Sequence, residues 1–172
     1  IDYNLPLKDG FDADSFGLAF SCYDKDDYYP WLLGIKDGKL TGGKLKADSF
    51  MLKCEEIEFK GRPAFNASVE TYERKLIIPE ALDDKILFHI FDVEGKKRDQ
   101  KEIGVGKGTD ILDASVYKSG EFLLIYRETT GKGSDIYAAI SRKKDLSDIE
   151  QVKLVGSSKD FDAAVIPPTV KM

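Results

Sequence analysis

Helical periodicity, long apolar runs and an excess of basic residues are all missing from this sequence. No long window repeats apolar residues with the spacing of an amphipathic helix, which excludes a helical bundle. No apolar stretch approaches the roughly 20 residues that a membrane-spanning helix needs. The 172 residues carry a formal net charge of −5, so we expect no nucleic-acid partner, no membrane span and no adhesion to an anionic membrane surface.

Cysteine and histidine are scarce, with two Cys and one His in the chain. A disulfide between Cys22 and Cys54 is one possibility, although two cysteines alone do not indicate an oxidising compartment. The triplet that begins at Asn66 is a glycosylation sequon, and we expect a secreted or extracellular protein, with a cytoplasmic one as the alternative. His89 lies in the apolar segment ILFHIF, where a lone histidine is usually packed and hydrogen-bonded. No two-His metal motif can be built around it. We expect no cofactor, with bound calcium as the one alternative.

Strand signals, in contrast, are dense along the whole chain. Short runs rich in β-branched and aromatic residues alternate with Gly- and Asp-containing turns, such as the run Trp31–Lys36 before Asp37-Gly38. Consecutive runs separated by short turns predict antiparallel meanders of four strands each. The predicted units cover approximately residues 11–60, 64–105 and 111–156, followed by a terminal strand at 160–170.

A short motif of an acidic or amide residue, Ala, Ser or Ala, and Val recurs at regular intervals. It occurs around Ala67, Ala114 and Ala163, and more loosely at Asp12-Ala13. The first two of these alanines are 47 positions apart and the next two are 49 apart. A period of about 40 to 50 residues with four strands per repeat is typical of propeller blades. The sequence therefore predicts an all-β, propeller-like fold of about three blades plus a strand, with a β-sandwich or a barrel as the alternative.

Three blades are fewer than a closed propeller contains, since closed propellers have about four to eight. An open propeller exposes sheet edges that invite pairing with another chain. We therefore expect either a homodimer, or a second chain that completes the propeller, or a chain that is one portion of a larger protein.

The segment DASVYKSGEFLLIYRETTGKGSDIYAAISRKKDL resembles one blade of the sialidase-like and five-bladed glycosidase propellers. The likeness lies in the acidic-small-x-Val start, the Gly turn, the aromatic-containing second strand and the end of the third strand, where the matching residues are Ala139, Ser141, Asp145 and Leu146. The sialidase Asp-box is absent. The resemblance implies a carbohydrate-binding or glycoside-processing protein and, if it is an enzyme, a glycoside hydrolase.

The same resemblance implies a site, because five-bladed glycosidases place acids at the starts of their inner strands. That pattern would arrange Asp12, Asp113 and Asp162 around one axis as catalytic residues, with Asn66 as a ligand-binding residue in the fourth position. Converging carboxylates can supply a general acid, a base or nucleophile, and a group that tunes their pKa values. Two alternatives stay open: these side chains cap turns, or they bind a cation.

Three further residues are candidates for ligand binding. Trp31, near Tyr28 and Tyr29, can stack on a sugar or belong to the core. Arg127 and Glu128 end the second strand of the best-matching blade, where they line a pocket or form an exposed ion pair. The predicted partner is a carbohydrate ligand. The alternative function is a non-catalytic protein-interaction module that binds a protein partner or self-associates through exposed β edges.

Overall fold

The part of the chain that the structure describes consists of β-strands and their connections. In the computed structural model these residues are 11–23, 27–45, 51–64, 76–92, 94–116, 121–131, 133–143 and 145–156. Within these ranges there is no helix, which confirms the all-β prediction. The strands are β1 Ser15–Tyr23, β2 Asp27–Lys36, β3 Lys39–Leu45, β4 Met51–Lys53, β5 Arg62–Pro63, β6 Leu76–Ala81, β7 Lys85–Phe91, β8 Lys97–Gly104, β9 Thr109–Val116, β10 Phe122–Thr130, β11 Gly133–Ser141 and β12 Glu150–Gly156.

These strands form three antiparallel sheets of four strands each, and every sheet follows chain order. The first sheet contains β1 to β4, the second β5 to β8 and the third β9 to β12. Each sheet is a meander, as the strand pattern predicts. The described strands close no barrel, because the strand order in every sheet is linear and ends in two edges; that alternative is therefore wrong for this part of the chain.

The second sheet lies between the other two and packs on both. Side chains along β6 alternate between the two interfaces: Ile78 packs with Trp31 of the first sheet, whereas Ile77 belongs to a cluster with Phe122 of the third. The same alternation continues in β7, where Phe88 faces the third sheet and Phe91 the first. A strand buried on both faces needs apolar residues at almost every position, which explains the continuous apolar runs in this part of the sequence.

Pro79 lies inside β6, although proline cannot donate a hydrogen bond to a strand ladder and is usually excluded from the middle of a sheet. It pairs in register with Phe88 of β7, and its carbonyl accepts a hydrogen bond from Ala64 N at 2.9 Å on the other side. The N–H and C=O of one residue in a strand point to the same side. The N–H that proline lacks would therefore point toward β5, a strand of only two residues. The hydrogen bonds between β6 and β7 do not need this donor, so that ladder is complete.

Two copies of the recurring motif fall within the described residues. Asp12-Ala13 lies just before β1, and Asp113-Ala114 lies in β9; β1 and β9 are the first strands of their sheets. The copies around Ala67 and Ala163 and the strand predicted at 160–170 lie outside the described residues. The propeller arrangement therefore stays a prediction.

Candidate functional site

A cleft of about 400 Å³ opens between the second and third sheets. One wall carries side chains of β10, β11 and β12, namely Tyr126, Glu128, Tyr137 and Gln151. The other wall is formed by Asp84, in the β6–β7 turn, and by residues 104–106, at and just after the end of β8. Val105 N donates to the Asp84 carbonyl at 2.9 Å, so the two parts of this wall are joined through the backbone.

Two tyrosines form the floor of the cleft. Tyr126 and Tyr137 are direct cross-strand partners, and their rings stack at 5.4 Å with an interplanar angle of 12°. Gln151 Nε2 donates to the Tyr126 hydroxyl at 2.8 Å and to Gly104 O at 2.9 Å, which connects the third sheet to the second. Burial raises the pKa of Tyr126, so its hydroxyl stays protonated at neutral pH and can donate a hydrogen bond.

Glu128 brings a carboxylate into the cleft. Alternation along β10 places it on the same face as Tyr126, and its Oε1 accepts a hydrogen bond from Gly106 N at 2.7 Å. A Cβ atom at position 106 would lie 2.6 Å from Glu128 Oε2, so a side chain there would force the end of the Glu128 side chain to shift. Among the described residues, Oε2 has no hydrogen-bond partner, and neither has the side chain of Asp84.

Arg127 lies on the opposite face of β10 and belongs to a separate ionic cluster. Its Nη2 is 2.9 Å from Asp110 Oδ2, and Arg62 Nη1 is 2.6 Å from Asp110 Oδ1. Arg62 also donates to Thr109 O at 2.6 Å. Arg127 and Glu128, which the sequence analysis treats together, therefore make separate contacts, and the cluster joins β5 of the second sheet to β9 and β10 of the third.

The acids predicted at the inner strands are described only in part. Asp12 is exposed and lies 3.4 Å from Lys36 Nζ, whereas Asp113 is half-buried in β9, opposite Ile125. Asn66 and Asp162 lie outside the described residues. The convergence of these acids on one axis stays a prediction.

Trp31 belongs to the core. Its side chain is only 1% exposed and packs in the cluster between the first and second sheets. The packing alternative accounts for this residue, because its ring has no exposed face for a sugar.

Sequence analysis misses most of the cleft, although part of it was readable. Period-two alternation in the segment FLLIYRE places Tyr126 and Glu128 on one face, although the continuous apolar residues at its start obscure the alternation. Tyr137 becomes their neighbour through the β10–β11 register. The wall formed by Asp84 and residues 104–106 depends on packing between sheets, which no local pattern encodes.

A second buried polar group connects β6 and β7. Glu80 and His89, 1% and 3% exposed, are joined by a 2.7 Å contact between Oε2 and Nε2. The other oxygen of Glu80 accepts from Lys60 N and Gly61 N, each at 2.5 Å. His89 is thus packed and hydrogen-bonded, as its surroundings in the sequence indicate. The pair fastens the segment before β5 onto the second sheet, and its burial leaves no route for a substrate.

Protonation of His89 is expected to destabilise the protein. Burial lowers the pKa of His89 below 6.5, and this effect outweighs the opposing hydrogen bond from Glu80. Below about pH 6.5 the unfolded chain therefore binds a proton that the native state does not. The free energy of unfolding consequently decreases as the pH is lowered through this range. His89 is the only histidine in the sequence, so its NMR titration can be followed without ambiguity.

The matched variant for this prediction is His89→Gln, whose amide nitrogen can still donate to Glu80. Stability measured by urea unfolding between pH 7.5 and 5 should decline in the wild type and stay nearly flat in the variant. Carboxylates whose pKa is lowered, such as Asp92, titrate at lower pH and act outside this window. An equal decline in both proteins would contradict the assignment.

Cys54 is a free thiol, so the structure contains no disulfide between Cys22 and Cys54. Burial raises the pKa of Cys54 to about 12. Since the thiolate is the reactive form, Cys54 is a poor nucleophile at neutral pH.

Neither a metal-binding cluster within the described ranges nor a similar protein assigns a function to this chain. Within the described ranges, no three His, Cys, Asp or Glu side chains are grouped so that they could hold a metal ion. The same ranges contain no helix with the length and apolarity to cross a membrane. No protein-family model, curated protein or solved structure matches the chain.

Proposed function

We propose that this protein is a carbohydrate-binding module of the propeller type and that its ligand occupies the cleft between the second and third sheets. The observation that carries the proposal is the lining of the cleft: a tyrosine pair, a carboxamide and two carboxylates with unpaired oxygens. Ligand sites combine apolar or aromatic surface with a few placed polar groups. A sugar has hydroxyl groups and C–H bonds, and this lining offers hydrogen-bonding groups to the hydroxyls and the edge of the Tyr137 ring to the C–H bonds.

The cleft has a volume of about 400 Å³ and is broadly open to solvent. A ligand in it would keep one side exposed, unlike a ligand buried in an enclosed small-molecule site. Tyr126 covers one face of the Tyr137 ring, and the ammonium of Lys153 lies 5.9 Å from the ring centroid. A ligand therefore meets the edge and hydroxyl of Tyr137, together with Glu128 and Gln151.

Binding is the activity proposed for this cleft, and hydrolysis is the alternative that the two acids of its walls allow. Glycoside hydrolysis requires two carboxyl groups on opposite sides of the scissile bond. Of the described residues that line the cleft, Asp84 and Glu128 are the two acids, and Glu128 also accepts a hydrogen bond from the wall. Analysis of the incubated sugars for cleavage products distinguishes the two activities, and loss of cleavage in Asp113→Asn would assign it to the predicted inner-strand acids instead.

Tyr137→Ala is expected to weaken binding of a saccharide identified on a glycan array by about tenfold, equivalent to about 1.4 kcal/mol. The substitution removes the ring edge and the hydroxyl from the cleft. Isothermal titration measures the affinity. Leu154→Ala is the control, because Leu154 is exposed on β12 and does not line the cleft. Unchanged affinity in a folded Tyr137→Ala protein, or a wild type that binds no saccharide, would contradict the proposal.

One observation favours the alternative function, self-association through a sheet edge. All residues of β12 are exposed, including Val152, Leu154 and Val155, and among the described strands β12 has a neighbour on one side only. An exposed strand with apolar side chains can pair with another strand. A rise in solution mass with protein concentration would support a pairing of two copies at β12.

A further inference from the structure

We infer that the cleft selects saccharides that carry a free amino group over neutral and acidic saccharides. This inference rests on the proposed carbohydrate-binding function and adds the chemical class of the ligand. It starts from the charges on the cleft walls. The two lining side chains that are charged at neutral pH, Asp84 and Glu128, are both acidic, and no lysine or arginine lines the cleft among the described residues.

The nearest candidate for a compensating cation is already paired. Lys153 Nζ lies 2.6 Å from Asp135 Oδ2 and above the Tyr137 ring. Asp135 and Lys153 lie on the neighbouring strands β11 and β12 of the third sheet, where Lys153 is the cross-strand partner of Tyr137. Their ion pair carries no net charge, so it does not cancel the charges of Asp84 and Glu128. The negative charge of the walls is therefore available to a ligand.

The unpaired carboxylate oxygens determine what the ligand should supply. Glu128 uses Oε1 to accept from Gly106 N, which fixes the orientation of the carboxylate and leaves Oε2 open. An ammonium group is a donor with a full positive charge, and hydrogen bonds between two charged groups are about twice as strong as neutral ones. Because Glu128 is half-buried, the attraction is screened less than at an open surface.

The same charges reject acidic sugars. A carboxylate or sulfate group in the cleft would lie beside two negative side chains, with no cation among the described lining residues to offset the repulsion. The Tyr137 hydroxyl and the Gln151 carbonyl oxygen remain for neutral hydroxyl groups, because Gln151 Nε2 already donates to the Tyr126 hydroxyl and to Gly104 O. They account for binding of the sugar ring, whereas the acids account for selection among sugars.

The test compares three oligosaccharides with the same backbone linkage: glucosamine, N-acetylglucosamine and glucose oligomers joined β-1,4. Affinities are measured by isothermal titration at pH 6 and low salt. We expect the glucosamine oligomer to bind about tenfold more tightly than the other two. Its advantage should shrink with added salt, because ionic attraction is screened.

Charge-removing variants connect this preference to the cleft. Glu128→Gln keeps an oxygen that can accept from Gly106 N and should lose most of the preference while still binding the glucose oligomer. Asp84→Asn should lose part of it. Glu102→Gln is the matched control, because it removes the same charge from an exposed residue of β8 that does not line the cleft, and it should keep the full preference.

The outcomes separate the two proposals. Equal affinity for all three oligomers, tighter binding of a glucuronic acid oligomer, or an unchanged preference in Glu128→Gln would overturn the inference and leave carbohydrate binding intact. No binding of any oligomer, with folding verified by Trp31 fluorescence, would overturn both. Equal binding of the glucosamine oligomer and a simple alkyl diamine would overturn the carbohydrate proposal and support recognition of the amine alone.

Discussion

Replacing Glu80 with alanine is expected to lower the free energy of unfolding by about 3–5 kcal/mol, as is typical when one member of a buried ionic or polar pair is removed. The Glu80 carboxylate is 1% exposed and accepts hydrogen bonds from Lys60 N and Gly61 N. Alanine leaves both donors and the His89 ring without this partner, and buried unpaired groups are strongly destabilising. Since domains are stable by about 5–15 kcal/mol in total, this change removes a large share.

Urea unfolding followed by Trp31 fluorescence measures the effect, because Trp31 is the only tryptophan and is buried. Glu80→Gln should be less severe, since its carbonyl oxygen can still accept from the two backbone donors. Glu102→Gln should change stability by less than about 1 kcal/mol, because its ion pair with Lys85 is solvent-exposed. A Glu80→Ala protein as stable as this control would show that the buried pair does not anchor the segment before β5.

Gly42→Ala is expected to destabilise the protein by about 3 kcal/mol or more, from backbone strain and overpacking combined. Gly42 is buried in β3 and has a φ of +98°, in the region that disfavours residues with a Cβ atom. An added Cβ would collide with the Leu32 carbonyl oxygen of β2 and lie 3.1 Å from the Phe11 ring. The carbonyl belongs to the sheet backbone, so neither strand can move aside without losing pairing.

Gly131→Ala is the matched control for this substitution. Gly131 lies in the β10–β11 turn, is exposed, and a Cβ there would meet no atom within 4 Å. We expect a change within about 0.5 kcal/mol, or slight stabilisation from the reduced entropy of the unfolded chain. Thermal unfolding of both variants gives the comparison. Equal melting temperatures for Gly42→Ala and Gly131→Ala would show that β3 does not make this close approach.

The fold class was predictable because its signals are local. The predicted run Trp31–Lys36 lies in β2, and Asp37-Gly38 forms the turn between β2 and β3. The glycine-rich β3 was harder to read, since glycine is depleted in strands. Its glycines serve the close approach of neighbouring backbones, as Gly42 shows, and a contact of that kind leaves no periodic pattern in the sequence.

The candidate site was less predictable for a related reason. Glu128 was identified from its position at the end of a strand, but its hydrogen-bond partner, Gly106, follows β8 of the second sheet. Gln151 of β12 binds the neighbouring Tyr126 hydroxyl, which the position of Glu128 does not reveal. Pairing within a meander follows from chain order, whereas contacts between sheets depend on how the sheets stack. The Asp110 cluster with two arginines was missed in the same way, because Arg62 is 48 positions away in the sequence.

The two-sided burial of the second sheet has a consequence for how the protein folds. Every sheet pairs strands that are neighbours in the chain, so each can begin to form from local contacts. The second sheet, however, has two apolar interfaces, and each is covered only when the adjoining sheet is in place. Its stability is therefore shared with both neighbours, as in repeat proteins with nearest-neighbour coupling. A cut at either boundary of this sheet would separate halves that depend on each other to remain folded.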